Sequence, residues 1–198
     1  HRHYDHVDYK LEPNIKTSPG GLRDIQTTLW VCSRRYGTTN IDQLVTLGVL
    51  STTEARWLND GRRFLWWVRY GLHSLAGRKE DQLHFARQRE LSQRLGFMDT
   101  ESKSAVELFM QHYYRHVMAL SDVNDIVLQH FQEDMTAKKR PSLERLNDRF
   151  RLINRRIDIT EPDVFLRNPS AMLEMFFLMA QREENIRVRV RTIRALRE

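Results

Sequence analysis

Two long stretches carry apolar residues at helical spacing, and they constrain the fold of this chain more than any other feature. The first runs from Ser51 to Leu75, and Ser51 and Glu54 have the spacing of an N-terminal capping box. The second runs from Glu101 to about Met135 with the same period. Helices of this length bury their apolar faces against other helices. The chain is therefore predicted to be mainly α, with a helical bundle as its core.

Shorter segments complete the predicted bundle on its N-terminal side. Apolar residues at intervals of three and four predict a helix from Leu22 to Gly37, a short helix over 41–47 and another over about 87–95. Prolines and paired glycines precede Leu22, and these residues resist helix formation. The sequence therefore predicts an extended N-terminal segment that ends in a turn.

The pattern changes after a charged break at 138–141. Apolar and polar residues then alternate, which predicts a small β-hairpin near residues 149–159. Asn168 and Pro169 have the character of a helix N-cap and first helical residue, ahead of a strongly apolar helix over 172–180. The basic C-terminal tail is also predicted to be helical.

Composition indicates the kind of protein and the cellular compartment in which it is expected. Hydrophobic residues make up 40% of the chain and charged residues 29%, which is typical of a globular protein. No apolar run approaches the roughly 18 residues of a membrane-spanning helix, and the N-terminus lacks the pattern of a secretory signal. A single cysteine, Cys32, cannot form an intramolecular disulfide. We therefore expect a cytoplasmic protein with no membrane partner, and the absence of an initiator Met suggests a piece of a longer chain.

The charge balance leaves one alternative open. A net charge of +6 invites a polyanionic partner, but 26 acidic residues are interspersed with 32 basic ones, as on solvated helix faces. The exception is a basic C-terminal run, which would suit a helical nucleic-acid-binding module whose affinity falls steeply with salt. This run comprises Arg187, Arg189, Arg191, Arg194 and Arg197.

Two constellations resemble metal sites without the residues that the chemistry needs. His112 and His116 have the spacing of a zinc-protease helix, but Tyr113 stands where a general-base Glu is required. Asp122 and Asp125 lack the alternate spacing of paired magnesium ligands on a strand. The chain also has no phosphate-binding loop, nucleophile elbow or His-Asp doublet. We therefore predict neither a metal ligand nor a catalytic residue in this chain.

The segment 11–26, LEPNIKTSPGGLRDIQ, is the best candidate for a binding site. Gly20 and Gly21 would let the backbone approach an anion at the first free N–H groups of a helix, and Lys16 and Arg23 would add positive charge. These four residues are the predicted nucleotide-phosphate site. A tight turn into a capped helix, with glycine wherever φ is positive, would use the same residues, so a purely structural role stays open.

The stretch LEPNIKTSPGGLRDIQTTLW resembles the signature that follows the nucleotidyltransferase domain in bifunctional uridylyltransferase and uridylyl-removing enzymes, the family that modifies the nitrogen-regulatory PII protein. The resemblance continues through a tryptophan-rich helix, the segment from Phe85 to Leu95 and the stretch FLRNPSAMLEMF. It implies that residues 1–21 are the C-terminal edge of the nucleotidyltransferase domain and that residues 22–140 are a helical bundle. Residues 141–198 would then be a hairpin and helices that lead to a downstream His-Asp phosphohydrolase domain.

The resemblance implies a function for the parent enzyme. It would transfer UMP from UTP to a tyrosine of PII, with Mg bound by the nucleotidyltransferase domain, and would remove the UMP again, with glutamine as an effector at distant domains. The catalytic residues of those domains are absent from this chain, so it is expected to be an inactive connector that helps to present PII, with no specific nucleic-acid partner. The related adenylyltransferase of glutamine synthetase has a similar G-G-I-R-E-I stretch, but Leu22 and Asp24 favour uridylyl transfer.

Overall fold

The computed structural model describes residues 11–137, 141–182 and 185–197. The chain divides into two compact units, which we call unit 1 (1–128) and unit 2 (129–198). Helices account for most of the described residues, so the predicted mainly α class is confirmed. None of the helices in these ranges is both long and apolar enough to cross a membrane. The assignment of residues 1–21, 22–140 and 141–198 to parts of a larger enzyme stays a prediction.

Unit 1 is built from helices whose ends follow local signals in the sequence. The helices are α1 (Leu22–Tyr36), α2 (Ile41–Thr46), α3 (Thr52–Ala76), α4 (Phe85–Arg94) and α5 (Ala105–Ala137), the last of which continues into unit 2. The predicted capping box is present: Ser51 N donates to Glu54 Oε2 at 2.8 Å, and Glu54 N donates to Ser51 Oγ at 3.2 Å. Both α1 and α3 end at a glycine with positive φ, Gly37 and Gly77.

The core of unit 1 lies along the predicted seams of α3 and α5. Most apolar side chains of these seams are almost fully buried and form one cluster with residues of α1, α2 and α4, whereas Leu75, Val106 and Phe131, also predicted for the seams, are only partly buried. The buried seam residues are Leu58, Leu65, Val68 and Leu72 on α3, and Phe109, Tyr113, Val117, Leu120 and Val127 on α5.

Unit 2 contains a small sheet beside short helices. The predicted hairpin is confirmed as β2 (Phe150–Ile153) and β3 (Arg156–Ile159), joined through positive φ angles at Asn154 and Arg155, which suit a two-residue hairpin. The sheet is larger than predicted, since β1 (Leu143–Arg145) pairs antiparallel with β2 and β4 (Arg187–Val188) pairs parallel with β3. The helices are α6 (Val164–Arg167), α7 (Ala171–Ala180) and α8 (Val190–Ala195).

Two expectations for unit 2 were wrong. Asn168 does not begin a helix, because α6 precedes it and Asn168 is the C-cap of α6, whereas the N-cap of α7 is Ser170. The basic tail is not helical throughout, because Arg187 and Val188 pair with β3 before α8 begins. In both places a neighbouring element, α6 in the first case and β3 in the second, determines the structure of residues whose local pattern predicted a helix.

Candidate functional site

The segment that precedes the predicted site is hydrogen-bonded to the loop before α4. The N–H of Ile15 donates to the carbonyl oxygen of Asp81 at 2.8 Å, and the N–H of Leu83 donates to the carbonyl oxygen of Pro13 at 2.9 Å. Ile15 is fully buried. This segment is therefore held in place within unit 1.

Asn14 bends the chain immediately before the predicted site. Its Oδ1 accepts hydrogen bonds from the N–H groups of Lys16 at 3.1 Å and Thr17 at 2.9 Å. Its own N–H donates to Ser18 Oγ at 2.9 Å. Side-chain bonds of this kind hold a local turn without help from a strand or helix. Asn14 therefore contributes to holding the backbone at Lys16, in addition to the bond between Ile15 and Asp81.

The structure brings Lys16 and Arg23 together across this turn. The N–H of Arg23 donates to the carbonyl oxygen of Lys16 at 2.9 Å, and the N–H of Leu22 donates to the carbonyl oxygen of Ile15 at 3.1 Å. Lys16 is half-buried and Arg23 is exposed. Neither side chain forms an ion pair with a residue that the structure describes. Two cationic side chains are thus attached to adjacent, hydrogen-bonded backbone positions of one turn.

The two glycines of the site are required for different reasons. Gly20 has a φ of +72°, and a Cβ there would lie 1.8 Å from the carbonyl oxygen of Val117 on α5. Gly21 has a φ of −76°, so the expectation of a positive φ applies only to Gly20. A Cβ on Gly21 would instead lie 2.8 Å from the carbonyl oxygens of both Ile15 and Ser18. Both positions exclude a side chain by contact with backbone.

The backbone N–H groups at the start of α1 have partners within the chain. Gly20 N donates to Asp24 Oδ2 at 2.7 Å, and Gly21 N donates to the carbonyl oxygen of Ser18 at 2.8 Å. Asp24 N donates back to the carbonyl oxygen of Gly21 at 3.0 Å. Any interaction with a phosphate at this turn would therefore come from the Lys16 and Arg23 side chains, with the glycines shaping the turn. The phosphate-binding role of these four residues stays a prediction.

Carboxylates on α5 lie beside the start of α1. Desolvation raises the pKa of Asp125, and the negative charges of Asp122 and Asp24 raise it further. Asn124, between the two α5 acids, accepts a hydrogen bond from Thr28 Oγ1 at 3.0 Å. No group of three or more potential metal ligands occurs in the described ranges. This part of α5 is thus engaged in packing against α1.

The two histidines at zinc-protease spacing contact different aromatic rings. The ring of His112 meets the edge of Phe97 with 5.4 Å between centroids, and the ring of His116 stacks on Phe64 at 4.4 Å. Burial is the main cause that lowers the pKa of His116. The two histidines therefore have different aromatic neighbours, with His116 half-buried and His112 exposed.

The basic C-terminal run extends over more than one element of unit 2. Arg189 Nε lies 3.2 Å from Glu133 Oε2, and Arg189 Nη1 lies 3.5 Å from Asp158 Oδ2. Arg187 belongs to β4, whereas Arg191 and Arg194 belong to α8. The run is thus divided between a strand and a helix, with Arg189 paired inside unit 2.

Sequence reasoning missed three polar residues that hold the turn or the segment before it. Asn14 gives the ordinary signal of a side-chain-stabilised turn, and Asp24 is an acidic residue in the first turn of a helix, so both could have been identified. Gln88 gives no such signal, because its side-chain amide donates to the carbonyl oxygen of Leu11, 77 positions away. Its role becomes visible only in the folded chain.

Comparison with known proteins identifies relatives of both units. Residues 1–128 match the family described as GlnD PII-uridylyltransferase, and residues 150–198 match the uridylyltransferase GlnD third domain. The chain is 49% identical to the bifunctional uridylyltransferase/uridylyl-removing enzyme of Pseudomonas aeruginosa (strain LESB58) and 51% identical to that of Pseudomonas putida (strain GB-1). Each match covers 100% of this chain but only 22% of the relative. No solved structure matches the chain.

Proposed function

The chain belongs to the GlnD PII-uridylyltransferase family, and from that premise we propose that it is the helical connector of an enzyme that transfers UMP from UTP to PII and removes it again. The relatives carry both activities in their name, which favours uridylyl over adenylyl transfer. Because the chain spans about a fifth of their length, the chemistry would reside in other domains. Magnesium would be held by the nucleotidyltransferase domain, glutamine would act at distant domains, and the enzyme would work in the cytoplasm.

The adjacency of Lys16 and Arg23 carries the proposed role of this chain in uridylylation. Their backbones are hydrogen-bonded to each other at 2.9 Å on a turn that is fixed at both ends. Transfer from UTP depends on positioning the phosphates and neutralising their charge. Two cationic side chains held at the edge of a nucleotidyltransferase domain could supply part of that charge without being the catalytic residues themselves.

An exposed aromatic surface on α3 supports a role in presenting PII. Trp66 is 49% exposed, Trp67 46% and Tyr70 77%, and their spacing places them on one side of the helix. The guanidinium of Arg69 lies 5.2 Å from the ring centroid of Trp66. Tryptophan, tyrosine and arginine are the residues enriched at the centres of protein interfaces. This surface is the part of unit 1 that we expect to contact PII.

The test of the Lys16 role uses the full-length enzyme, because the nucleotide pocket needs the other domain. Lys16→Ala should lower uridylylation by about tenfold to a hundredfold through the loss of charge stabilisation. Lys16→Arg should retain part of the activity, since it keeps the charge with a different geometry. The removal of UMP should be largely spared, since it would use a separate site.

Lys103 offers a matched control for this test. It precedes α5 and donates a hydrogen bond to Gln111 Oε1 at 3.0 Å, so it lies far along α5 from Val117, which contacts Gly20. Lys103→Ala should leave both activities unchanged. If Lys16→Ala also leaves the rate and the apparent UTP affinity unchanged, the phosphate role is wrong and the segment is only a structural hinge.

The isolated chain is expected to be inactive. Neither the paired acids of a nucleotidyltransferase nor a His-Asp doublet occurs in its sequence. Purified chain incubated with PII, UTP and magnesium should transfer no UMP, as measured by the mass of PII. Transfer above the level of an enzyme-free sample would contradict the connector role.

A further inference from the structure

Arg69 on α3 holds the loop that precedes α4. Its Nε donates a hydrogen bond to Asp81 Oδ1 at 2.7 Å, and its Nη2 lies 3.5 Å from Asp81 Oδ2. Both side chains are only 15% exposed. The Nε2 of His73, one turn further along α3, lies 3.4 Å from Asp81 Oδ1. The loop is therefore attached to α3 through the carboxylate of Asp81.

These contacts keep the carboxylate of Asp81 ionised. Desolvation is the largest effect and raises the pKa of Asp81, but the hydrogen bonds and charges of Arg69 and His73 together outweigh it and lower the pKa below its usual value. Charge-assisted hydrogen bonds are about twice as strong as bonds between neutral groups. Removing the guanidinium would leave a partly buried carboxylate without its shortest contact, which destabilises the arrangement of the loop.

The same loop holds the backbone immediately before Lys16. The carbonyl oxygen of Asp81 accepts a hydrogen bond from the N–H of Ile15 at 2.8 Å, and Ile15 is fully buried. The carbonyl oxygen of Ile15 in turn accepts from the N–H of Leu22 at 3.1 Å. Asp81 therefore binds Arg69 through its side chain and, through its backbone, holds the residue next to Lys16.

The guanidinium of Arg69 is also held by an aromatic ring. It lies over the ring of Trp66, with 5.2 Å between its central carbon and the ring centroid. A planar guanidinium can stack on a ring and bind a carboxylate at the same time, which the ammonium of a lysine cannot do in the same way. Two different groups therefore restrain the orientation of Arg69.

We propose that Arg69 is a positioning residue for uridylylation, which sets the backbone of the Lys16 turn through Asp81. It acts without touching the nucleotide. This inference rests on the function proposed above, because Arg69 affects the reaction only through Lys16.

A double-mutant cycle in the full-length enzyme tests this role. The kcat/KM for UTP is measured at saturating PII for the unmodified enzyme, Arg69→Ala, Lys16→Ala and the double variant. Arg69→Ala alone should lower kcat/KM about tenfold, because a small displacement of a positioning group has a large effect on rate. In the Lys16→Ala background the same change should lower it by no more than about twofold, which is the usual error of additivity. The removal of UMP should be largely spared in all variants.

Hydrogen exchange measures the position of the backbone without relying on the chemistry of Lys16. Peptides that contain the amides of Ile15 and Leu83 should exchange faster in Arg69→Ala, because both amides donate across the contact between the loop and the N-terminal segment. Arg62 offers a matched control on the same helix, since its Nη2 donates to Asn59 Oδ1 at 3.4 Å. Arg62→Ala should change neither the exchange of these peptides nor uridylylation.

Arg69→Lys keeps the charge without the planar fork, so it should recover part of both the rate and the protection from exchange. Thermal melting checks that the variants remain folded. If Arg69→Ala does not fold, Arg69→Lys replaces it in the cycle, with a smaller loss and the same non-additivity expected.

Several outcomes would overturn the inference while leaving the phosphate role of Lys16 intact. These are an equal loss from Arg69→Ala in both backgrounds, unchanged exchange at Ile15 and Leu83, and the same effects from Arg62→Ala. If instead Lys16→Ala leaves uridylylation unchanged, the proposed function fails first and the role of Arg69 fails with it. The cycle therefore separates the two failures.

Discussion

Gly20 and Gly37 lie at opposite ends of α1. Comparing the stability of alanine variants at the two positions measures the energetic effect of the close contact between the turn and α5. Their φ angles are nearly equal, at +72° and +73°. A Cβ on Gly37 would meet nothing within 4 Å, whereas a Cβ on Gly20 would lie 1.8 Å from the carbonyl oxygen of Val117. The two Gly→Ala replacements should therefore have the same free-energy cost from the backbone conformation. They differ only in the free-energy cost of steric overlap.

The two costs can be estimated separately. An alanine in the left-handed region costs about 1–2 kcal/mol, which is the whole effect expected for Gly37→Ala. In Gly20→Ala the added carbon also meets the backbone of Val117, with its carbonyl carbon at 2.6 Å, so a helix or the turn must move. Inserting a carbon into a packed interior adds about 1–3 kcal/mol. We expect Gly20→Ala to destabilise unit 1 by about 2–5 kcal/mol.

Urea unfolding followed by tryptophan fluorescence measures this difference. All four tryptophans, Trp30, Trp57, Trp66 and Trp67, lie in unit 1, so the signal reports the unit in which both glycines lie. The midpoint should fall more for Gly20→Ala than for Gly37→Ala at a similar slope. If the two variants lose the same free energy of unfolding to within about 0.5 kcal/mol, the close approach of Gly20 to Val117 is wrong.

Two further predictions concern buried side chains of unit 1. The hydroxyl of Tyr113 is buried and has no hydrogen-bond partner among the described residues. Tyr113→Phe should therefore leave the free energy of unfolding unchanged or raise it by up to about 1 kcal/mol. A loss above that size in the same urea experiment would show that the hydroxyl has a partner. Burial raises the pKa of the Cys32 thiol to about 11, so the thiolate is scarce near neutral pH and iodoacetamide should modify the native chain much more slowly than the urea-unfolded chain. Native reactivity should increase only as pH approaches 11, and equal rates at neutral pH would contradict the burial of this thiol.

Elements with a local signal could be predicted from the sequence. The capping box of Ser51 and Glu54 depends on side chains three positions apart, and it marks the start of α3 correctly. The hairpin over 149–159 is set by alternation and by a tight connection at Asn154 and Arg155, so it also needs no distant partner. Such features are encoded within a few residues.

Elements that depend on a partner could not be predicted in the same way. The strands Leu143–Arg145 and Arg187–Val188 are 3 and 2 residues long, too short to show a period, and they exist because β2 and β3 offer free edges. The apolar helix α7 shows the same limitation. The apolar pattern over 172–180 predicted the helix but not which of its side chains are buried: Met175 is fully buried, whereas Leu173 is 74% exposed and Phe177 63%.

The candidate site shows why its two interpretations must be separated by side-chain variants. Sequence spacing suggested a cradle of backbone N–H groups, but those of Gly20 and Gly21 are bonded to Asp24 and Ser18. Glycine substitutions displace the turn by contact with backbone, so Gly21→Val would damage both folding and any nucleotide binding. A loss of uridylylation in such a variant is therefore expected with or without a bound phosphate. Lys16→Ala leaves the backbone bonds of the turn in place, so it can distinguish phosphate binding from a structural hinge.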